Sequence, residues 1–252
     1  MADHRDAPPA PAIAPRHALV VAAGDVPARL ALDAAWPGWA DDVDLVIAAD
    51  GGLVRARALG LVPDVLVGDL DSLSAALADD AEAARMAVLR ARVDKDESDA
   101  ELALLEAVRR GASRVTVLGA FGGPRLDHAL ANLWLLAHPN LAGVDVVLLD
   151  GRSRAWLITA PGPEGEPVTR LLRGPIGATV SLLPHGGAVT GITTTGLRYP
   201  LRDEPLAVGP ARGLSNVRTA ADAAVTVRAG RLLVVETVLG TGNPAGGLSS
   251  IT

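Results

Sequence analysis

Residues 65–72 most constrain what this chain can fold into. They read Val-Leu-Val-Gly-Asp-Leu-Asp-Ser, a short apolar run followed by two carboxylates, Asp69 and Asp71. An apolar run of this length that ends at a glycine predicts a buried strand. In open α/β sheets, ligand sites lie just beyond the carboxyl ends of such strands. The two acids can therefore converge on Mg²⁺, which prefers oxygen ligands, although a solvated acidic turn explains the pair equally well.

Similar strands recur along the first 150 residues and alternate with helices. Apolar runs predict strands at 17–23, 44–49, 87–89, 113–119 and 144–149. Apolar periodicity and Ala-rich composition predict helices at 26–40, 53–60, 74–87, 99–110 and 126–137. This alternation predicts an α/β domain over residues 17–152, with a mostly parallel sheet and flanking helices. Asp50 and Gly51 follow the second strand directly, which places another acid at a strand's carboxyl end. As an alternative, Asp50 caps the helix that follows.

A charged segment precedes the predicted helix at 99–110. Residues 94–101 read Asp-Lys-Asp-Glu-Ser-Asp-Ala-Glu, and Lys95 is the single lysine of the chain. Ser98 and Glu101 have the spacing of a capping box, which places Asp99 in the first helical turn. Compensation of the helix dipole explains an acid there. It does not explain the neighbouring lysine, a compact point charge suited to phosphate, although chance retention of Lys95 is the alternative.

A glycine-rich segment follows the strand at 113–119. Residues 119–128 read Gly-Ala-Phe-Gly-Gly-Pro-Arg-Leu-Asp-His. Such a turn between strand and helix can present backbone N–H groups to phosphate, but it matches neither the P-loop nor the dinucleotide fingerprint. At helical spacing, Arg125, His128 and Asn132 share one side, opposite a side that carries leucines. We expect the polar side to face the same cleft as the acids; a solvated helix face is the alternative.

The character of the sequence changes from about residue 153. Helical periodicity stops, and short β-rich runs alternate with Gly/Pro turns at 168–172, 178–183, 188–194, 206–208, 224–228 and 231–237. Regularly spaced short strands predict an all-β, sandwich-like domain over residues 153–239. The Ala/Pro-rich residues 1–16 are expected to be a disordered tail, and the Gly/Ser-rich residues 240–252 a flexible one.

Composition excludes several classes of function. The formal net charge is -6, which argues against general nucleic-acid binding and against a membrane-surface role, since both need a basic surface. There are no cysteines, so neither disulfides nor cysteine-ligated metals arise. No apolar stretch is long enough to span a bilayer, and the first residues lack a signal-peptide pattern. A cytoplasmic location is the expectation.

Six motifs in this order resemble the thiamine pyrophosphokinase (thiamine diphosphokinase) family. They are Ala49-Asp50-Gly51-Gly52, Gly68-Asp69-Leu70-Asp71-Ser72, Lys95-Asp96-Glu97-Ser98-Asp99-Ala100-Glu101, the segment 119–128 together with Asn132, Thr194-Thr195-Gly196-Leu197-Arg198-Tyr199, and Leu214-Ser215-Asn216. The resemblance spans about residues 17 to 237.

The resemblance implies a fold, a reaction and roles for residues. It implies an α/β nucleotide-binding domain followed by a β-sandwich, in a homodimer with sites between subunits. The implied reaction moves a pyrophosphoryl group from ATP to the hydroxyethyl arm of thiamine, giving thiamine diphosphate and AMP. By resemblance, the acids that handle Mg²⁺ and phosphate are Asp50, Asp69, Asp71 and Asp99. The implied ATP side consists of Gly51, Lys95, Arg125, Asp127, His128 and Asn132, and the implied thiamine side of Tyr199, Ser215 and Asn216.

Some alternatives stay open at this point. Either Asp71 or Asp99 can accept the proton of the thiamine hydroxyl, and one or two Mg²⁺ ions fit the acids. A non-catalytic nucleotide or thiamine sensor is a second hypothesis, which the presence of every acid disfavours. A phosphatase of the haloacid dehalogenase type also carries Asp-x-Asp after a strand. That motif has Thr or Val two residues after the second Asp, whereas Leu73 stands there.

Overall fold

A computed structural model describes residues 16–69, 86–91 and 96–239. Asp71, Lys95 and all but the last two residues of the predicted helix at 74–87 lie outside these ranges. So do the predicted terminal tails, apart from Arg16. Within the described ranges, no helix is both long and apolar enough to cross a membrane.

Six parallel strands form one part of a ten-stranded sheet. They are β1 His17–Val21, β2 Leu45–Ala49, β3 Val65–Gly68, β4 Ala87–Arg90, β5 Arg114–Leu118 and β6 Asp145–Leu149. Their spatial order is β6-β5-β1-β2-β3-β4, so the direction of winding reverses where β1 lies beside β5. All five residues of β1 are buried, as expected for a central strand covered on both faces. The crevice at this reversal is where open α/β sheets bind ligands.

Helices cover both faces of the parallel strands. They are α1 Arg29–Ala35, α2 Gly52–Ala58, α3 Asp99–Arg109 and α4 Leu126–Leu135, with a 3-10 turn at Pro139–Leu141. α3 buries Ala103, Leu104 and Ala107 against one face, and α1 buries Leu32 against the other. α1 is shorter than the predicted helix 26–40, because a turn follows Ala35 directly.

The C-terminal half is all-β and continues the same sheet. β7 Ser153–Ala160, a strand that the sequence analysis did not predict, pairs antiparallel with β6 and with β14. The remaining strands are β8 Val168–Leu171, β9 Thr179–Pro184, β10 Val189–Thr195, β11 Glu204–Leu206, β12 Asn216–Val217, β13 Ala224–Val227 and β14 Gly230–Thr237. The large sheet has the order β12-β9-β14-β7-β6-β5-β1-β2-β3-β4, and a second sheet has the order β11-β10-β13-β8.

The two sheets pack as a sandwich. Their shared core includes Trp156 and Ile158 from β7, Val234 from β14, and Val225 and Val227 from β13. An α/β part with a mostly parallel sheet, followed by a sandwich-like all-β part, is confirmed. The division at residues 152 and 153 stays a prediction, and hydrogen bonds between β6 and β7 cross it.

Candidate active site

Asp50 and Asp69 lie at the carboxyl ends of two adjacent parallel strands. Asp50 follows β2, Asp69 follows β3, and β2 pairs with β3. The backbone N–H of Asp50 donates to the carbonyl of Val67 over 2.8 Å. A Cβ added to Gly68 would lie 3.1 Å from the Cβ of Asp50, so glycine lets the two strand ends approach closely. The sequence prediction that these two acids share one sheet edge is therefore realised.

Helix capping does not account for Asp50. α2 begins at Gly52, its N-cap residue is Gly51, and no side chain accepts a capping hydrogen bond. Asp50 instead has a φ of 42°, a left-handed conformation that is uncommon outside glycine. Backbone strain of this kind is concentrated at functional sites. The alternative explanation of Asp50 as an N-cap is wrong.

Asp99 begins α3 as the spacing predicted. Ser98 is the N-cap residue, and its Oγ accepts a hydrogen bond of 3.1 Å from the backbone N–H of Glu101. Asp99 is half-buried at the start of the helix. The predicted proximity of Lys95 to these acids falls outside the described residues, as does the position of Asp71.

The acids among the described residues have the right chemistry to bind a hard cation such as Mg²⁺, but they are too few to form a complete metal site. Asp50 and Asp69 are half-buried carboxylates at one edge, and carboxylate oxygens are the donors that Mg²⁺ takes from proteins. Within residues 16–69, 86–91 and 96–239, no three His, Asp or Glu side chains are grouped to hold a metal ion. The chemistry of Asp50 and Asp69 is compatible with a metal site to which further ligands contribute, and their role as metal ligands stays a prediction.

The glycine-rich loop after β5 is bonded to the loop after β1. The N–H of Gly24 donates to the carbonyl of Gly119 over 3.0 Å, and the N–H of Asp25 donates to the carbonyl of Phe121 over 2.8 Å. In return, Oδ2 of Asp25 accepts a hydrogen bond of 3.1 Å from the N–H of Gly123. Gly122 has a φ of 78°, and a Cβ there would lie 2.3 Å from Oδ2 of Asp25. Asp25 thus holds the turn that was predicted to present N–H groups to phosphate.

Sequence reasoning missed Asp25 as a site residue. Asp25 and Gly123 are 98 residues apart, so no local pattern joins them. One signal in the sequence could have identified Asp25. It follows the first predicted strand, just as Asp50 and Asp69 follow the next two.

The polar residues at the start of α4 have three different environments. Nε of Arg125 donates to Asp127 over 2.9 Å, and this ion pair with Arg125 lowers the pKa of Asp127 to about 2. His128 is exposed. Nδ2 of Asn132 donates to the carbonyl of Ala120 over 2.8 Å, so this amide stabilises the start of the glycine-rich loop.

The apolar side of α4 is largely uncovered. Leu126, Leu130 and Trp134 are 72%, 41% and 62% exposed, whereas Leu133 packs against the core. Three large apolar side chains at helical spacing form a continuous exposed surface, which we call the α4 apolar surface. Exposed apolar surfaces of this kind are typical of sites that bind another protein, a membrane or a ligand.

The three predicted thiamine-side residues lie together at the other end of the large sheet. Asn216 is buried, and its Oδ1 accepts from the N–H of Tyr199 over 3.0 Å while its Nδ2 donates to the carbonyl of Tyr199 over 2.7 Å. The Tyr199 side chain is 64% exposed. Ser215 has a φ of 58°. A cavity of 250 Å³ lies here, and its lining includes Tyr199, Arg212 and Asn216.

The sheet separates the two groups of predicted site residues within one chain. Asn216 begins β12, Asp50 follows β2, and these strands are seven positions apart in the sheet. At about 4.8 Å between neighbouring strands, the two groups stand roughly 34 Å apart along the sheet. The structure therefore groups the acids with the glycine-rich loop, groups Tyr199 with Asn216, and does not bring the two groups together.

Comparisons with known proteins cover both groups. The family model described as thiamin pyrophosphokinase, catalytic domain, matches residues 38–148, and the one described as thiamin pyrophosphokinase, vitamin B1 binding domain, matches residues 169–234. Thiamine pyrophosphokinase of Bacillus subtilis (strain 168) is 27% identical over 179 residues, which cover 71% of this chain and 80% of that protein.

Solved structures show the same fold. A crystal structure of a thiamin pyrophosphokinase family protein from Enterococcus faecalis is 28% identical, with a TM-score of 0.72 over 89% of this chain and 99% of that chain. Yeast thiamin pyrophosphokinase is 17% identical, with a TM-score of 0.67 over 90% of this chain and 88% of that chain. At that identity the yeast likeness concerns the fold alone. One family model matches the segment that holds Asp50 and Asp69, and the other matches the segment that holds Tyr199 and Asn216. The chain therefore belongs to the thiamin pyrophosphokinase family.

Proposed function

We propose that this protein is a thiamine diphosphokinase that transfers a pyrophosphoryl group from ATP to the hydroxyethyl group of thiamine. The products are thiamine diphosphate and AMP. The observation that carries the proposal is the pair of family matches, to a catalytic domain over residues 38–148 and to a vitamin B1 binding domain over residues 169–234. The acids at the sheet edge fall within the first match and the cavity beside Tyr199 within the second.

The acids and the glycine-rich loop form the proposed ATP side. Asp50, Asp69, Asp71 and Asp99 are the residues that would hold Mg²⁺, which when bound neutralises negative charge on the phosphates. Exposed N–H groups of the loop held by Asp25 would bind phosphate oxygens. Phosphoryl transfer depends mainly on such positioning and charge neutralisation, and little on covalent chemistry of the protein.

The proposed reaction is an in-line displacement at the β-phosphorus. The thiamine hydroxyl oxygen forms a bond to that phosphorus, and its proton passes to a carboxylate, either Asp71 or Asp99. The bond between the β-phosphorus and the oxygen that bridges it to the α-phosphate breaks, and its electron pair leaves with AMP. Arg125, His128 and Lys95 supply positive or hydrogen-bonding groups near the phosphates in this proposal.

The proposed thiamine side has a ring available for the cationic heterocycle. The Tyr199 side chain is 64% exposed, so its face is open to a ligand. Cation–π attraction to a tyrosine ring contributes about 0.5–1 kcal/mol at an exposed site. Asn216 contributes by fixing the backbone of Tyr199. Ser215 precedes Asn216 in the chain, and in this proposal its hydroxyl contributes to binding thiamine.

We further propose a homodimer whose active sites form between subunits. The two groups of site residues lie far apart in one chain, and a group transfer needs the reacting atoms within about 3–3.5 Å. A second copy can bring its thiamine side to the ATP side of the first. The α4 apolar surface, next to the glycine-rich loop, supports a subunit contact at this end of the molecule. A cytoplasmic location stays a prediction from the sequence.

The deciding experiment measures AMP formation from ATP and Mg²⁺ with and without thiamine. We expect AMP to form only with thiamine, one AMP for each thiamine diphosphate. Formation of ADP or of free phosphate would contradict pyrophosphoryl transfer, and free phosphate would favour a phosphatase. Thiamine binding without turnover would favour the sensor.

Substitution of the acids gives a second test. Asp71→Asn and Asp69→Asn are expected to abolish turnover while the chain stays folded. Asp42→Asn, at an exposed acid, is the matched control.

A further inference from the structure

A second cavity lies away from the proposed active site. It has a volume of 510 Å³ and is formed by the loop after α1, the strands β5 to β7 and the loop after β8. It shares no lining residue with the acids, the glycine-rich loop or the cavity beside Tyr199. Small-molecule sites have volumes of about 300–1,000 Å³, so this one has room for a metabolite. We call it the arginine cleft.

Three arginines line the arginine cleft against one carboxylate. Arg114 comes from β5, Arg154 from β7 and Arg173 from the loop after β8, and the carboxylate is Asp145. An adjoining cavity of 410 Å³ shares Asp145, Arg154 and Arg173 and adds Arg170. The chain as a whole has a formal net charge of -6, so this concentration of guanidinium groups runs against its overall charge. Planar guanidinium groups match the oxygen geometry of phosphate.

Arg154 is held in place without having all its donors bonded. Its side chain is 13% exposed, and its Nε lies 3.2 Å from Oε2 of the fully buried Glu236. That Nε is buried and makes no hydrogen bond with the described residues. The guanidinium also lies 5.8 Å from the ring centre of Trp36. Burial lowers the pKa of Arg154; Glu236 counteracts this, and Arg173 adds to the lowering.

Arg114 is a second buried donor in the same cleft. Its Nε is buried and unbonded among the described residues, while its terminal nitrogen contacts Nδ1 of His17 at 3.1 Å. Buried polar atoms in native structures almost always have a partner, and each exception asks for an explanation such as a ligand. The Nε of Arg154 faces the Glu236 carboxylate, so Arg114 is the clearer exception. Both guanidinium groups line the same cleft together with Arg173, and this cluster of positive charge suits an anion.

Glu236 fixes the third arginine relative to the sheet. Its Oε1 accepts from the backbone N–H of Arg173 over 2.9 Å and from that of Gly174 over 2.7 Å. The same carboxylate therefore holds both Arg154 and the loop that carries Arg173. This arrangement keeps the cleft formed before a ligand arrives, which lowers the cost of binding.

We propose that the arginine cleft binds a phosphate group, either as inorganic phosphate or as part of a small organic phosphate. The site goes beyond the proposed active site and shares none of its residues. Arg114, Arg154 and Arg173 are the ligand-binding residues, and Glu236 is a positioning residue.

The test titrates the full chain, without divalent metal, with inorganic phosphate and separately with AMP. The readout is the NMR signal of the Nε–Hε group of Arg154 and of Arg114, which reports on this cleft and not on the active site. We expect saturable shifts of both signals. Arg173→Gln, at an exposed position, is expected to weaken binding at least tenfold, and Arg231→Gln, an exposed arginine at the far end of β14, to leave it unchanged.

The outcomes distinguish inorganic phosphate from an organic phosphate, and they include results that would overturn the proposal. Equal affinity for the two probes means that the phosphate group alone is recognised, whereas tighter binding of AMP means that the cleft walls contact the organic part. Signals that stay unmoved at millimolar probe, or an equal loss in Arg231→Gln, would overturn the proposal. Unchanged melting temperatures of both variants show that folding is not the cause. Because the readout needs no turnover, it is independent of whether the chain forms AMP.

Discussion

At the scale of single residues, Asn216 shows how a predicted binding residue acts through another. Its side chain bonds both the N–H and the carbonyl of Tyr199 and also accepts from the N–H of Val217 over 2.9 Å. The amide is therefore committed to backbone groups. The motif predicts Asn216 as a thiamine-side residue, and that role stays a prediction. The structure shows that its amide fixes the backbone of Tyr199.

Replacing this amide is expected to disturb thiamine binding first. Asn216→Asp puts a second oxygen against the carbonyl of Tyr199 in place of a donor, and an unsatisfied buried group costs about 1–3 kcal/mol. We expect a lower melting temperature and a KM for thiamine raised about tenfold, equivalent to about 1.4 kcal/mol, with a smaller change in KM for ATP. Steady-state kinetics test this, with Asn140→Asp, at an exposed asparagine, as the control. An unaltered KM for thiamine would contradict the orienting role.

Asp127 gives a prediction about pH. Its pKa is lowered to about 2 by Arg125, from an ordinary value of 3.8. The folded-state pKa is depressed, so the pair contributes to stability fully above pH 3.8 and loses that contribution as the pH falls toward 2. NMR titration of the Asp127 carboxyl should show this low midpoint, and Arg125→Gln should return it toward the ordinary value. A midpoint unaffected by Arg125→Gln would show that the pair does not form in solution.

At the scale of elements, Asp25 and the glycine-rich loop act as one unit. The loop after β1 and the loop after β5 exchange three hydrogen bonds, two through backbone and one through the Asp25 side chain. These loops flank the point where the winding of the sheet reverses. The conformation of the turn that we propose to bind phosphate thus depends on a residue from a different part of the chain.

Removing the Asp25 carboxylate should loosen this turn. Asp25→Ala leaves the N–H of Gly123 without its acceptor, and we expect KM for ATP to rise about tenfold, equivalent to about 1.4 kcal/mol, while KM for thiamine stays the same. Asp25→Asn keeps an acceptor oxygen and should retain most of the affinity. A rise in both KM values, or no rescue by asparagine, would point to a general loss of structure instead.

The same elements show what the sequence could and could not predict. Strand positions near the acids and the Ser98 cap were predictable because both depend on local patterns. β7 was missed because its place in the sheet depends on partners in β6 and β14, the latter about 75 residues away along the chain. Helical periodicity predicted a polar and an apolar side of α4, but the covered side cuts across this division. Leu133 packs against the core and Asn132 is half-buried, whereas Leu126 is exposed.

At the scale of the whole molecule, the α4 apolar surface and the separation of the two groups of site residues together predict that activity depends on dimer formation. Trp134→Glu places a charge on a side chain that is 62% exposed in one chain and that we expect to be covered in the dimer. We expect the variant to shift from dimer to monomer in light scattering and to lose most AMP formation, since each site needs both subunits. Leu30→Glu, at an 83% exposed leucine of α1, is the control. A dimeric Trp134→Glu variant would exclude this surface as the interface.

The hydrogen bonds between β6 and β7 make the two halves of this chain parts of one sheet, so they cannot be exchanged independently. Two family models recognise two segments, residues 38–148 and 169–234. β7 lies between these segments in the chain and pairs with β6 on one side and with β14 on the other, so one uninterrupted sheet runs through both. Separating them would expose two long strand edges, which are templates for aggregation. The segments are thus units of recognition without being independent units of folding. A chimera that takes its vitamin B1 binding half from a relative must therefore inherit a β7 whose inward side chains match this β6.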